Sequence, residues 1–192
     1  MSIRKDNFKI CTFHGTIDPE KGSKEAKLRN ALYLIGNLNL HISRTETVSI
    51  RIIGYEIPIE NRGKRIDLIG YDKDKNPWII ELKAHDSKEK IKEVIQQING
   101  YEIIFKNQID AIEKEFADKC FLNISLTRNI KKMILAPRDF YENQDTKTYP
   151  KMDEIVVCSI ARIKEIFDSS DNFILGSKLG NYEMINLKVE NK

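Results

Sequence analysis

Apolar residues recur along the chain first at helical spacing, then at strand spacing, then at helical spacing again. Asp18-Pro19-Glu20-Lys21-Gly22-Ser23 marks a turn into a helix predicted from Lys24 to about Leu38, with Leu28, Ala31, Leu32, Ile35 and Leu38 on one face. Glu25 falls in its first turn, where the helix dipole favours a carboxylate. Thr47 to Ile59 alternates as a strand, broken near Pro58. Arg65–Tyr71 and Trp78–Lys83 are two further strand-forming runs, separated by the polar stretch Asp72–Pro77, so Arg65 to Ala84 reads as a β-hairpin. Asp86-x-x-Glu89 fits a capping box opening a second helix, whose buried face is Ile91, Val94, Ile95, Ile98 and Phe105. Gly100 weakens that helix by about 1 kcal/mol. A further helix is predicted over Asp110–Cys120, strands over Lys132–Pro137 and Glu154–Ile160, and a short helix over Ala161–Phe167. The order predicts an α/β domain built on a mixed sheet.

The hairpin carries charges that a sheet ordinarily excludes. Folded symmetrically about Asp74, it sets Asp67 opposite Glu81 and Arg65 opposite Lys83, with Ile66 facing Leu82 and Leu68 facing Ile80. Two carboxylates in direct opposition repel unless a cation lies between them. Asp67, Glu81 and the adjoining Leu82 carbonyl are oxygen donors suited to Mg²⁺ or Mn²⁺. Lys83, on the same face, is placed to hold a water or to neutralise charge in a transition state. Phosphodiester hydrolysis is the chemistry that follows. The competing reading of the same residues is a surface hairpin with exposed salt bridges among Asp67, Glu81, Arg65 and Lys83.

Composition narrows the field only modestly. A chain of 192 residues with 41% hydrophobic and 32% charged residues is long enough for one domain with a sizeable core. A formal charge of +3 does not by itself imply nucleic acid. Arg62, Lys64 and Arg65, and then Lys88, Lys90 and Lys92, form local basic clusters that also suit a solvated surface. Cys11, Cys120 and Cys158 have no zinc-ligand spacing, and free thiols in a reducing cytoplasm are their simplest account. No signal-peptide core and no run of transmembrane length is present, so a cytoplasmic protein without membrane partners is expected. His14, His41 and His85 show no paired ligand spacing, and Gly22-Ser23-Lys24 has the wrong order for a phosphate loop.

Asp67, thirteen intervening residues and then Glu81-Leu82-Lys83 resemble the PD-(D/E)XK nuclease superfamily, most closely the nuclease domains of NucS and RecB-type proteins. Gly63-Lys64-Arg65-Ile66-Asp67-Leu68 is similar to the family's Gly-Arg-Ile-Asp-Leu strand, with Lys64 interposed. Gln97-Ile-Asn-Gly-Tyr101 corresponds to its Gln-x-x-x-Tyr helix motif. Ile66 replaces the proline of the family name. The likeness is specific from Glu56 to Tyr101 and weaker on to Pro137.

The resemblance implies a restriction-endonuclease-like αβββαβ core, a central mixed sheet flanked by helices, in a single domain over 1–192. Its recognisable part is about 24–137, followed by a C-terminal extension, 138–192, of unknown role. By the same resemblance Asp67 and Glu81 are metal ligands, Lys83 is catalytic, and Gln97 with Tyr101 supports the site or the DNA backbone. Glu25 matches loosely the acidic residue usual on the upstream helix, and Gln97 and Tyr101 also suit simple packing at i and i+4. The implied activity is a Mg²⁺- or Mn²⁺-dependent DNA endonuclease of repair, restriction or defence. RNA remains open as the substrate, and a homodimer would supply two sites for two strands. The alternative is a catalytically silent nucleic-acid-binding or assembly module that keeps the fold.

Overall fold

The computed structural model describes residues 22–41, 47–59, 64–84, 86–137, 140–141, 144, 155–160 and 181–184. Among these, two helices and seven strands follow in the order α1 (Lys24–Ile35), β1 (Asn37–His41), β2 (Thr47–Pro58), β3 (Arg65–Tyr71), β4 (Pro77–Leu82), α2 (Ile91–Cys120), β5 (Lys131–Pro137), β6 (Ile155–Ile160) and β7 (Asn181–Met184). The protein is therefore α/β. The α/β class is as expected; β1 follows α1 directly, and β6 and β7 carry the sheet beyond β5.

Local chemistry sets the limits of α1. The Ser23 hydroxyl accepts from the Ala26 amide at 3.2 Å and caps the N-terminus. Gly36 takes a left-handed conformation, φ 76°, and its N–H donates to the Leu32 carbonyl, closing the C-terminus. The Gly36 carbonyl then accepts from Ile52 at 2.8 Å, which starts β1 beside β2. Leu38, expected on the helix, lies in β1 instead, because its helical phase continues past a glycine that ends the helix.

β1 to β4 are antiparallel neighbours, while β5 joins β4 and β6 joins β5 in parallel. β7 runs antiparallel to β6 and parallel to β1, so the mixed sheet curls until its two ends meet. Leu28, Ala31 and Leu32 of α1 pack against Ile50, Leu68, Ile80 and Leu82. The other face is covered by α2, whose Ile95, Ile98, Phe105 and Ile112 join Ile57, Ile69, Ile79 and Ile134.

β2 departs from simple alternation twice. Its register with β3 shifts between Ile52 and Gly54, leaving Ile53 as the extra residue of a bulge. Glu56 then takes φ 46°, an uncommon conformation for a residue with a side chain. An unbroken strand sends residues two apart to the same face. Here Tyr55 packs on the α1 side and Ile57 on the α2 side, so the chain turns over at Glu56.

The second helix begins at Ile91, beyond the expected capping box. Asp86 pairs with Lys24 at 2.8 Å and Glu89 with Lys83 at 2.7 Å, so neither carboxylate serves as a cap. Glu93 accepts from the Lys90 amide at 3.1 Å, and the distant Gln144 side chain accepts from Ile91 at 3.0 Å. Gly100 does not interrupt the helix, which continues unbroken through the separately expected Asp110–Cys120 segment. Cys120 is disulfide-bonded, which corrects the expectation of a free thiol there and removes that support for a reducing compartment. The short helix over Ala161–Phe167, the turn before Gly22, and His14 and His85 also lie outside them. No helix among the described residues is long and apolar enough to cross a membrane.

Candidate active site

The hairpin closes as its turn chemistry requires. Asp72 Oδ1 accepts from the amides of Asp74 and Asn76 at 2.9 and 3.0 Å, and Oδ2 accepts from Asn76 Nδ2 and Trp78 Nε1, both at 3.1 Å. Lys75 supplies the left-handed residue, φ 63°. The resulting register pairs Leu68 with Ile80 and Ile69 with Ile79, as symmetry about Asp74 predicts. One step further, ladder pairing gives way to a side-chain bond: the Leu82 amide donates to Asp67 Oδ2 at 2.9 Å. Asp67 and Glu81 thus come together at the end of the hairpin.

This is not an exposed salt-bridge cluster. Asp67, Glu81 and Lys83 are 8%, 2% and 4% exposed, respectively. Arg65, expected on the same face, is exposed and pairs with Glu56 at 3.2 Å rather than with the buried group. Lys83 Nζ lies 2.9 Å from Glu81 Oε1 and 2.7 Å from Glu89 Oε2. From α2, Gln97 Nε2 donates to Glu81 Oε1 at 2.8 Å and to the Tyr101 hydroxyl at 2.5 Å. Gln97 thus reaches Glu81, and Tyr101 reaches Gln97, whereas their i, i+4 spacing alone suited simple packing.

Glu25 stands near enough for Asp67, Lys83, Glu89 and Arg29 to influence its ionisation. It borders an open cavity of about 300 Å³ lined by Ser23, Lys24, Ala84, Asp86 and Ser87. Lys88, Lys90 and Lys92 are exposed at the start of α2.

Three residues of the group were not singled out from the sequence: Arg29, Glu56 and Glu89. Arg29 Nη1 donates to Asp67 Oδ1 at 3.2 Å and Nη2 to Glu56 Oε1 at 2.7 Å. Arg29 follows Glu25 by four positions, so the two share a helix face, a spacing that would have disclosed it. Glu56 would have followed from extending the pairing to β2, where Tyr55 faces Leu68 and Ile57 faces Ile66. Glu89 had no sequence signal beyond its misleading place in the capping pattern.

Crowded carboxylates and burial dominate the electrostatics. Burial, reinforced by Asp67, pushes the Glu81 carboxyl up to about 8. Burial likewise raises Asp67 despite the Leu82 amide and Arg29, and raises Glu25, with Asp67 adding to the effect. Burial acts to lower the Lys83 ammonium, but Glu81 and Glu89 outweigh it and hold Lys83 protonated. The Tyr101 phenol rises to about 12, chiefly through burial.

A divalent cation suits this donor set. Glu81 Oε2 is buried with no hydrogen-bond partner among the described residues, while Oε1 already receives Lys83 and Gln97. A buried carboxylate oxygen left bare is costly, and an ion would satisfy it. Asp67, Glu81 and the Leu82 carbonyl would hold Mg²⁺ or Mn²⁺, with Glu25 as a further carboxylate. Among the described residues no three Asp, Glu, His or Cys side chains form a group that could hold a metal ion, and Arg29 holds Asp67 Oδ1. Comparison with known protein families, curated proteins and solved structures finds no match to this chain.

Proposed function

We propose that this chain is a metal-dependent nuclease that hydrolyses phosphodiester bonds, with DNA as its substrate. The bare, buried Glu81 Oε2 carries the reading: its carboxyl lies beside Asp67 and a protonated Lys83, and a divalent cation would take the place of the proton that burial favours there. The sequence resemblance and the helix–strands–helix–strand order support a restriction-endonuclease-like core around it. A bound ion would polarise a phosphate oxygen and lower the pKa of a water. Lys83 supplies a fixed positive charge beside the reacting phosphate, held in place by Glu81 and Glu89. Gln97 and Tyr101 orient Glu81, and the exposed Lys88, Lys90 and Lys92 suit a nucleic-acid backbone. A cytoplasmic setting and a homodimer cutting both strands belong to the same proposal.

Cleavage of several DNA forms with Mg²⁺ or Mn²⁺, in competition with RNA, tests it. Asp67→Ala, Glu81→Ala and Lys83→Ala should each lower the rate by at least about 100-fold. Full activity in Glu81→Ala and Lys83→Ala would refute this site. One observation favours the silent-module reading: both oxygens of Asp67 are already bonded, to Leu82 and Arg29. Salt-sensitive DNA binding without any Mn²⁺ binding would establish that alternative.

A further inference from the structure

We propose that Arg29 is a resident latch on Asp67, displaced by the divalent cation as it binds and retained by Glu56 once displaced. The inference rests on the metal-site reading above and adds a competitor for the ion within the chain itself. Asp67 Oδ2 is committed to the Leu82 amide, so Oδ1 is the oxygen left for an ion, and Arg29 Nη1 holds that oxygen. The two arms of the guanidinium are unequal. Nη2 lies 2.7 Å from Glu56 Oε1, whereas Nη1 lies 3.2 Å from Asp67 Oδ1. Arg29 is thus anchored on Glu56 and leans on Asp67.

The socket is also incomplete. Arg29 Nε is buried and has no partner among the described residues, which is unusual for a guanidinium built in for stability alone. Glu56, its anchor, adopts φ 46° within β2, a strained conformation of the kind that persists where surrounding structure enforces it. Its neighbours pair Tyr55 with Leu68 and Ile57 with Ile66, so Glu56 stands across from Asp67. One guanidinium therefore separates two carboxylates on adjacent strands.

Charge balance agrees with displacement rather than expulsion. Once Glu81 has given up its proton, the carboxylates Glu25, Glu56, Asp67, Glu81 and Glu89 outnumber the cations Arg29, Arg65 and Lys83 by two. A divalent ion supplies that deficit only if Arg29 remains on Glu56. Before the ion arrives, Arg29 spares Asp67 from lying bare beside Glu81.

Mn²⁺ titration by calorimetry at pH 8 tests the latch without recourse to activity. Wild type, Arg29→Lys and Arg29→Met are compared, with Glu81→Ala to show that the heat comes from this site. Arg29→Met should bind Mn²⁺ at least about tenfold more tightly, a gain of ~1.4 kcal/mol. Arg29→Lys keeps the charge but spans only one carboxylate, and should tighten binding several-fold. Should Arg29→Met not fold, Arg29→Lys carries the comparison. An unchanged dissociation constant in Arg29→Lys would overturn the latch while the wild-type titration upheld the metal site. Absence of Mn²⁺ binding in wild type and in every folded variant would overturn both.

Discussion

Gln97 reaches across from α2 to donate to Glu81 Oε1 at 2.8 Å, and thereby ties the orientation of a β4 carboxylate to a helix. The same amide group donates to the Tyr101 hydroxyl one helical turn on. Gln97→Leu removes the donor and should lower the DNA-cleavage rate about tenfold, or ~1.4 kcal/mol, mainly in kcat. Tyr101→Phe keeps the ring in the core and the Gln97–Glu81 bond intact, so it should stay nearer to wild type. Steady-state kinetics on the two variants provide the check. Equal losses in both would mean that the phenol itself touches substrate.

Ion binding should depend on pH through Glu81. With its carboxyl raised to about 8, Glu81 is largely protonated at neutral pH and must lose that proton to bind metal. Mn²⁺ affinity should therefore rise from pH 6 to about 8 and then level off. Titrations in buffers of different ionisation enthalpy should show proton release on binding. A flat affinity over that range would remove Glu81 from the ligand set.

The same shift makes metal-free stability depend on pH. The folded protein holds the Glu81 proton more tightly than the unfolded chain, whose carboxyl titrates near 4.5. Stability is thus greatest below that lower value and falls as pH rises through about 8. Glu81→Gln keeps an oxygen for Lys83 and Gln97 but carries no charge, so this fall should be absent. Urea unfolding at pH 5.5 and 8.5 should show the variant gaining on wild type at the higher pH.

Asp72 contributes in the opposite sense. Burial works against its ionisation, yet four donors from Asp74, Asn76 and Trp78 together hold its pKa below the usual carboxylate range. Its stabilisation is present above the unfolded value, 3.8, and disappears as pH falls through the lower folded value. Asp72→Ala strands the indole nitrogen of buried Trp78 and should cost about 2–3 kcal/mol at pH 7. The difference from wild type in urea midpoint should shrink under strongly acid conditions.

Two glycines of the sheet should differ sharply. A Cβ at Gly70 would lie 2.7 Å from the Arg51 carbonyl oxygen and 2.6 Å from Ile50 Cγ2, so the backbone itself would have to move. At Gly54 the nearest atom, 2.8 Å away, is the terminal methyl carbon of Ile57, which can rotate aside. Gly70→Ala should therefore destabilise by about 1–3 kcal/mol more than Gly54→Ala, as read from thermal melts.

What could be read from the sequence was local. The register about Asp74 followed from a short polar turn and alternating apolar residues, and it led to Asp67 and Glu81. The buried face of α2 was visible in the recurrence from Ile91 to Phe105. What escaped was decided by partners far along the chain. Asp86 looked like a cap but is drawn to Lys24, sixty-two positions away. Arg29 meets Asp67 only because the sheet carries β3 beneath α1; its place four residues after Glu25 marks the helix face but not the partner. Leu38 kept helical phase beyond Gly36, where a left-handed residue had already ended the helix. The disulfide at Cys120 belongs to the same class, since spacing along the chain says nothing of proximity in space.

β4 is clamped on both sides, antiparallel to β3 and parallel to β5, and the Lys83 amide continues the clamp by donating to the Leu135 carbonyl. Opening the strand that bears Glu81 requires breaking two ladders at once. The amides of this strand should therefore be among the slowest to exchange with solvent, and through the unfolding of the whole domain rather than through local fluctuation. Heat inactivation should then coincide with global melting, leaving no range of temperature in which the fold persists without its site.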